Sequence, residues 1–132
     1  MMEDRLKYIF CVDDDEDILT VAKLCLECVG GFEVTCMPKS TDAVHTARKV
    51  LPDLILVDVM MPIMDGPAVL KKIREDKTLQ NIPVAFMTAR VKNEEVREYL
   101  EIGAAGVIAK PFDALTLCDQ VREIWRQHRL AA

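Results

Sequence analysis

Short, uniformly apolar runs alternate five times with longer amphipathic ones along this chain of 132 residues, and that rhythm restricts the fold more than any single motif. The apolar runs are Tyr8–Val12, Phe32–Met37, Leu54–Val57, Val84–Met87 and Val107–Ala109. The amphipathic runs are Glu16–Val29, Thr41–Val50, Pro67–Glu75, Asn93–Ile102 and Ala114–His128. Strands that are apolar throughout, rather than at every second residue, belong to a parallel sheet covered by helices on both faces. Five successive βα units predict one doubly wound α/β domain with a five-stranded parallel sheet.

For a chain of this length the flavodoxin-like strand order 2-1-3-4-5 is the natural arrangement. In the first helix Ile18, Val21, Ala22, Cys25 and Val29 recur at helical spacing and predict its buried stripe. Gly30-Gly31 is placed to end that helix and Gly103 to end the fourth. Asp113 is the expected N-cap of the last helix, and Ser40 or Thr41 that of the second.

Open α/β sheets place their sites beyond the carboxyl ends of the strands, where the strand order reverses. Four of the five apolar runs end there in polar residues: Asp13-Asp14, Asp58, Thr88 and Lys110. A carboxylate closing a run as apolar as Leu54-Ile55-Leu56-Val57 is costly to bury and belongs at a strand tip facing a site. Carboxylates brought within a few ångströms repel one another and call for a cation. Oxygen donors without His or Cys indicate a hard ion such as Mg²⁺, held by Asp13, Asp14 and Asp58. Asp15, Glu16 and Asp17 read instead as the acidic start of a helix.

Lys110, aimed by Pro111 through a turn that accommodates a cis peptide bond, can pair with these carboxylates and with a phosphoryl oxygen. The Thr88 hydroxyl and the Ala89 N–H can donate to others. A carboxylate nucleophile, a divalent cation, an ammonium and a hydroxyl donor are the parts needed to transfer a phosphoryl group to an aspartate.

Composition removes other classes. The 51% hydrophobic content is that of a folded chain, and no apolar run approaches the length needed to cross a bilayer. Met1-Met2-Glu3-Asp4-Arg5 lacks the pattern of a secretion signal, so a cytoplasmic location is expected. A net charge of -5 argues against direct nucleic-acid binding. Arg122, Arg126, His128 and Arg129 are cations of the kind a helix C-terminus favours. The five cysteines, Cys25-x-x-Cys28 among them, lack the partners of a zinc site and read as reduced thiols.

With Val12-Asp13-Asp14, Asp58-Val59-Met60-Met61-Pro62-Ile63-Met64-Asp65-Gly66, Met87-Thr88-Ala89 and Lys110-Pro111-Phe112 in this order, the chain resembles a CheY-like response-regulator receiver domain. The likeness runs from about Tyr8 to Arg126, one receiver unit in residues 1–132. It implies that Asp58 is phosphorylated by a histidine kinase or phosphotransfer protein and that Asp13 and Asp14 bind Mg²⁺, for which Mn²⁺ can substitute. It also implies that the Met60 backbone carbonyl completes the metal shell, and that Thr88 and Lys110 engage the phosphoryl group and couple it to a switch. Such a domain catalyses only its own phosphorylation and dephosphorylation.

One position departs from the family's pattern. Members often carry Tyr or Phe three residues before the Lys, and Val107 stands there. The expectation is intact phosphorylation chemistry read through Thr88 and rearrangement of the segment from Ala89 to Ile102. Met60 and Arg90 should flank the path of attacking water.

A haloacid-dehalogenase-type phosphatase would need a second carboxylate where Met60 stands, and a dinucleotide-binding domain a G-x-G-x-x-G after the first strand. The remaining alternative is a receiver-like binding module that works without phosphorylation. A free-standing regulator and a receiver segment of a larger protein both fit a chain ending at Leu130-Ala131-Ala132.

Overall fold

A computed structural model describes residues 5–89 and 91–131. Arg90, expected to border the water path, lies outside the described residues. Five strands, β1 (Tyr8–Val12), β2 (Glu33–Met37), β3 (Leu54–Asp58), β4 (Val84–Thr88) and β5 (Gly106–Ala109), alternate with α1 (Glu16–Cys28), α2 (Ala43–Val50), α3 (Gly66–Glu75), α4 (Asn93–Glu101) and α5 (Ala114–Ala131). The sheet is parallel in the order β2-β1-β3-β4-β5, as the alternation predicts.

Period-two side-chain geometry divides the core into two layers. Ile9, Cys11, Leu54, Leu56, Ala85, Met87 and Ile108 meet α1 and α5 on one face. Phe10, Val12, Ile55, Val57, Val84 and Phe86 meet α2 and α3 on the other. The central strands are wrapped on both sides, so β3 and β4 are buried at every residue. The edge strands β2 and β5 are only partly covered, which is why uniform burial stops there.

Helix ends follow local hydrogen bonding. Asp15 caps α1 by accepting from the N–H groups of Asp17 and Ile18, so the first acidic run is indeed a helix start. Gly31, at φ 73°, closes α1, where Phe32 N–H reaches Leu26 O and Gly31 N–H reaches Glu27 O. Gly103, at φ 109°, closes α4 in the same manner, with its neighbour Ala104 donating to Tyr99 O. Asp113 caps α5 through the Thr116 N–H and hydroxyl.

Two local expectations are corrected. The buried stripe of α1 is Leu19, Ala22 and Leu26, while Val21 and Val29 are 45% and 46% exposed. Either stripe keeps helical spacing; docking between β2 and α5 selects the one that reaches the sheet. Neither Ser40 nor Thr41 caps α2 directly. A 3-10 turn, Ser40–Asp42, precedes it, and the buried Ser40 hydroxyl instead donates to Pro62 O at 3.4 Å.

Candidate functional site

The register of the central strands brings the polar ends together. Val12 pairs with Val57, so Asp13 and Asp58 are the next neighbours, and they share the parity of Cys11 and Leu56. Asp58 pairs with Met87, which sets Thr88 one residue beyond and on the opposite face, with Phe86. Thr88 pairs with Ala109, so Lys110 leaves the sheet one residue later.

Lys110 Nζ donates to Asp13 Oδ2 at 2.6 Å and to Asp58 Oδ1 at 2.8 Å. Asp13 is 1% exposed, and its Oδ1 accepts from Asp15 N–H at 3.0 Å. Asp58 is 9% exposed and Asp14 is exposed. Oxygens of Asp13, Asp14 and Asp58 all lie within 4.8 Å of one another, the group among the described residues able to share one metal ion. Three carboxylates against one ammonium leave a local negative excess, which suits a divalent cation better than a second monovalent one.

Burial raises the Asp58 carboxyl above its ordinary value; the Lys110 hydrogen bond opposes this, and the charges of Asp13 and Asp14 add to it. Burial alone would lower Lys110, but its hydrogen bonds to Asp13 and Asp58 outweigh burial and raise it. Lys110 is therefore a fixed cation at neutral pH. Its peptide bond to Pro111 is cis, as the turn accommodates, and its N–H donates to Thr88 O at 2.9 Å.

The loop after Asp58 is held from below. Val59 N–H donates to Met87 O and Gly66 N–H to Val59 O, while Asp65 caps α3 through Ala68 N–H. A Cβ on Gly66 would lie 2.7 Å from Asp58 O, so only glycine allows α3 to start this close to the acidic strand end. The Met60 side chain is 70% exposed. Ala89 is exposed beside the buried Thr88.

Val107 is half-buried, in register with Phe86. Sequence reasoning missed an aromatic contact close by: Tyr99 of α4 meets Phe86 edge-on, with centroids 5.2 Å apart and planes at 83°. It also missed Arg74, which donates to Ile82 O, Gln80 O and Gly103 O and so binds α3 to the end of α4. Neither contact has a local signature: Tyr99 reaches Phe86 from another element, and Arg74 bonds carbonyls 6, 8 and 29 residues away. Among the described residues no helix is long and apolar enough to cross a membrane.

Residues 9–122 match the family model of the response regulator receiver domain. The transcriptional regulatory protein CseB of Streptomyces coelicolor is 36% identical over 126 residues, covering 96% of this chain and 52% of that protein. The chain thus spans about half the length of the curated relatives it matches. The chemotaxis protein CheY4 of Vibrio cholerae superposes with a TM-score of 0.83 at 28% identity, covering 91% of this chain and 99% of CheY4. The signal receiver domain of a histidine kinase from Syntrophus aciditrophicus gives 0.78 at 30% identity, covering 92% and 91% of the two chains. With this fold, this strand-end site and these relatives, the chain belongs to the response regulator receiver domain family.

Proposed function

We propose that this domain is a phosphoacceptor switch in which Asp58 takes a phosphoryl group from a phosphohistidine of a histidine kinase or phosphotransfer protein. The observation that carries the reading is the Asp58 carboxylate at the end of β3, hydrogen-bonded by Lys110 at 2.8 Å and within metal-sharing distance of Asp13 and Asp14. A carboxylate oxygen of Asp58 attacks phosphorus, the P–N bond breaks and the histidine leaves with the bonding electrons. Lys110 stabilises charge on the phosphoryl oxygens while retaining Asp13 as its partner. The Thr88 hydroxyl and the Ala89 N–H supply further donors.

Asp13, Asp14, Asp58 and the Met60 carbonyl would hold Mg²⁺, or Mn²⁺ in its place; bound there, the ion neutralises charge developing on the transferred group. Water later attacks the acyl phosphate, returning Asp58 and releasing inorganic phosphate. The functional unit is residues 8–126 within a single domain, acting in the cytoplasm and catalysing only its own phosphorylation and dephosphorylation. Phosphorylation is read through Thr88 and α4, with Val107 in the place where many members carry an aromatic ring.

Incubation with acetyl phosphate and Mg²⁺, followed by intact-mass measurement, tests this. The wild type should gain one phosphoryl group, and Asp58→Asn, or chelation of the metal, should abolish the gain. Equal behaviour of wild type and Asp58→Asn would favour the binding module that works without phosphorylation.

A further inference from the structure

At the amino-terminal edge of the sheet, opposite Asp58, a cavity of about 540 Å³ opens between the C-terminal half of α5 and the segments entering β1 and β2. Its rim carries Arg5, Arg122, Arg126 and Arg129, half of the chain's eight arginines, and among the described residues no acidic residue lines it. Phe32, Trp125 and Leu130 supply an apolar floor, and Leu130 is 71% exposed. In a protein of net charge -5 this concentration of guanidinium groups is a local reversal of sign. A helix dipole accounts for cations in the last turn of α5, yet Arg5 comes from the other end of the chain and Arg122 lies more than two turns from the helix end.

We infer that this groove binds an acidic amphipathic helix of a partner protein, seating an apolar side chain over Trp125 between the arginines. The charges are already oriented. Arg122 lies over Phe32 with its carbon 5.2 Å from the ring centroid and donates to Gly30 O, and Arg129 lies over Trp125 at 5.8 Å. Stacked guanidinium groups keep their charge and lose less freedom when they meet carboxylates. Glu123, bonded to Arg126, and Asp119, 3.9 Å from Arg122, offset part of the positive charge without entering the cavity.

Other occupants fit less well. A lipid surface offers no protruding side chain for a concave site. A nucleic acid would meet the net negative charge at long range, and base stacking would compete with Arg129 and His128 for Trp125. A second copy could offer α4, whose glutamates stand beside the exposed Leu100, but α4 and α5 are different surfaces, and such a head-to-tail contact does not pair off as a two-fold dimer.

Trp125 is the sole tryptophan, so its emission reports the groove directly. The full chain is titrated with a synthetic helical peptide bearing glutamates beside a leucine stripe, and with a scrambled peptide of equal composition. A saturable emission shift is expected with the helical peptide alone. Arg126→Glu combined with Arg129→Glu should weaken binding about tenfold, while circular dichroism and phosphorylation by acetyl phosphate stay unchanged. Equal response to the scrambled peptide overturns the inference. So does a shift produced only by phosphatidylglycerol vesicles or oligothymidylate, or one that follows self-association without peptide.

Discussion

Ile63 occupies an unfavourable place at the rim of the acidic site. Its φ of 70° lies in the left-handed region, and its side chain is 95% exposed. A β-branched residue there loses roughly 1–2 kcal/mol in backbone energy, with no burial to offset it. Ile63→Gly relieves the strain but adds freedom to the unfolded chain, so a net gain of about 0.5–1 kcal/mol is expected. Urea denaturation measures this, and a loss of stability would mean that the side chain is held by packing. The motif around Asp58 was legible residue by residue, whereas the conformation of Ile63 was not. A positive φ follows from the loop closure between β3 and α3, and no neighbour of Ile63 in sequence announces it.

The helices differ in how firmly they dock. Among α1 to α5, α4 alone has no fully buried residue; it rests on the Tyr99–Phe86 ring contact and on Arg74 reaching Gly103 O. Amphipathic spacing located α4 in the sequence but could not show how little of it is covered, because coverage depends on β5 being an edge strand. An element with few buried contacts opens at low free energy. Amide exchange should therefore be faster in α4 than in α1, α3 and α5, read by mass spectrometry or NMR. Protection of α4 equal to that of α3 would count against its role in reading phosphorylation. The same packing argument explains α1, where Leu19, Ala22 and Leu26 face the sheet and the equally spaced Val21 and Val29 do not.

For the whole molecule, acid stability depends on carboxylates that folding holds in their ionised form, by a long-range bond at Asp76 and a helix cap at Asp113. The Arg48 hydrogen bond, reaching from α2, and the N–H groups of Thr78 and Leu79 hold Asp76 below its usual value. The Thr116 backbone N–H and then its hydroxyl do the same for Asp113. A depressed folded-state pKa contributes stability that is complete above the unfolded value and is lost as pH falls through the folded value. Asp58 has the opposite sign: burial first, and then the charges of Asp13 and Asp14, raise its pKa, so protonation favours the folded state. Unfolding temperature should thus fall as pH drops below the ordinary aspartate value of 3.8, whereas the Asp58 contribution is gained above 3.8, as pH falls through its raised folded value. Arg48→Ala should flatten the fall, and an unchanged profile in that variant would remove Asp76 from the explanation.

The sequence by itself determined the five βα units, the parallel sheet and the polar strand ends. These depend on local hydrophobic period and on the rule that sites lie beyond the carboxyl ends of strands. Tertiary structure alone decided which of the carboxylates Lys110 bonds, Asp13 and Asp58, that Tyr99 meets Phe86, and that Arg5 joins Arg122, Arg126 and Arg129 around one groove. Each of these arises from strand register and helix docking. Those are fixed by packing among residues far apart in the chain, which no local pattern encodes.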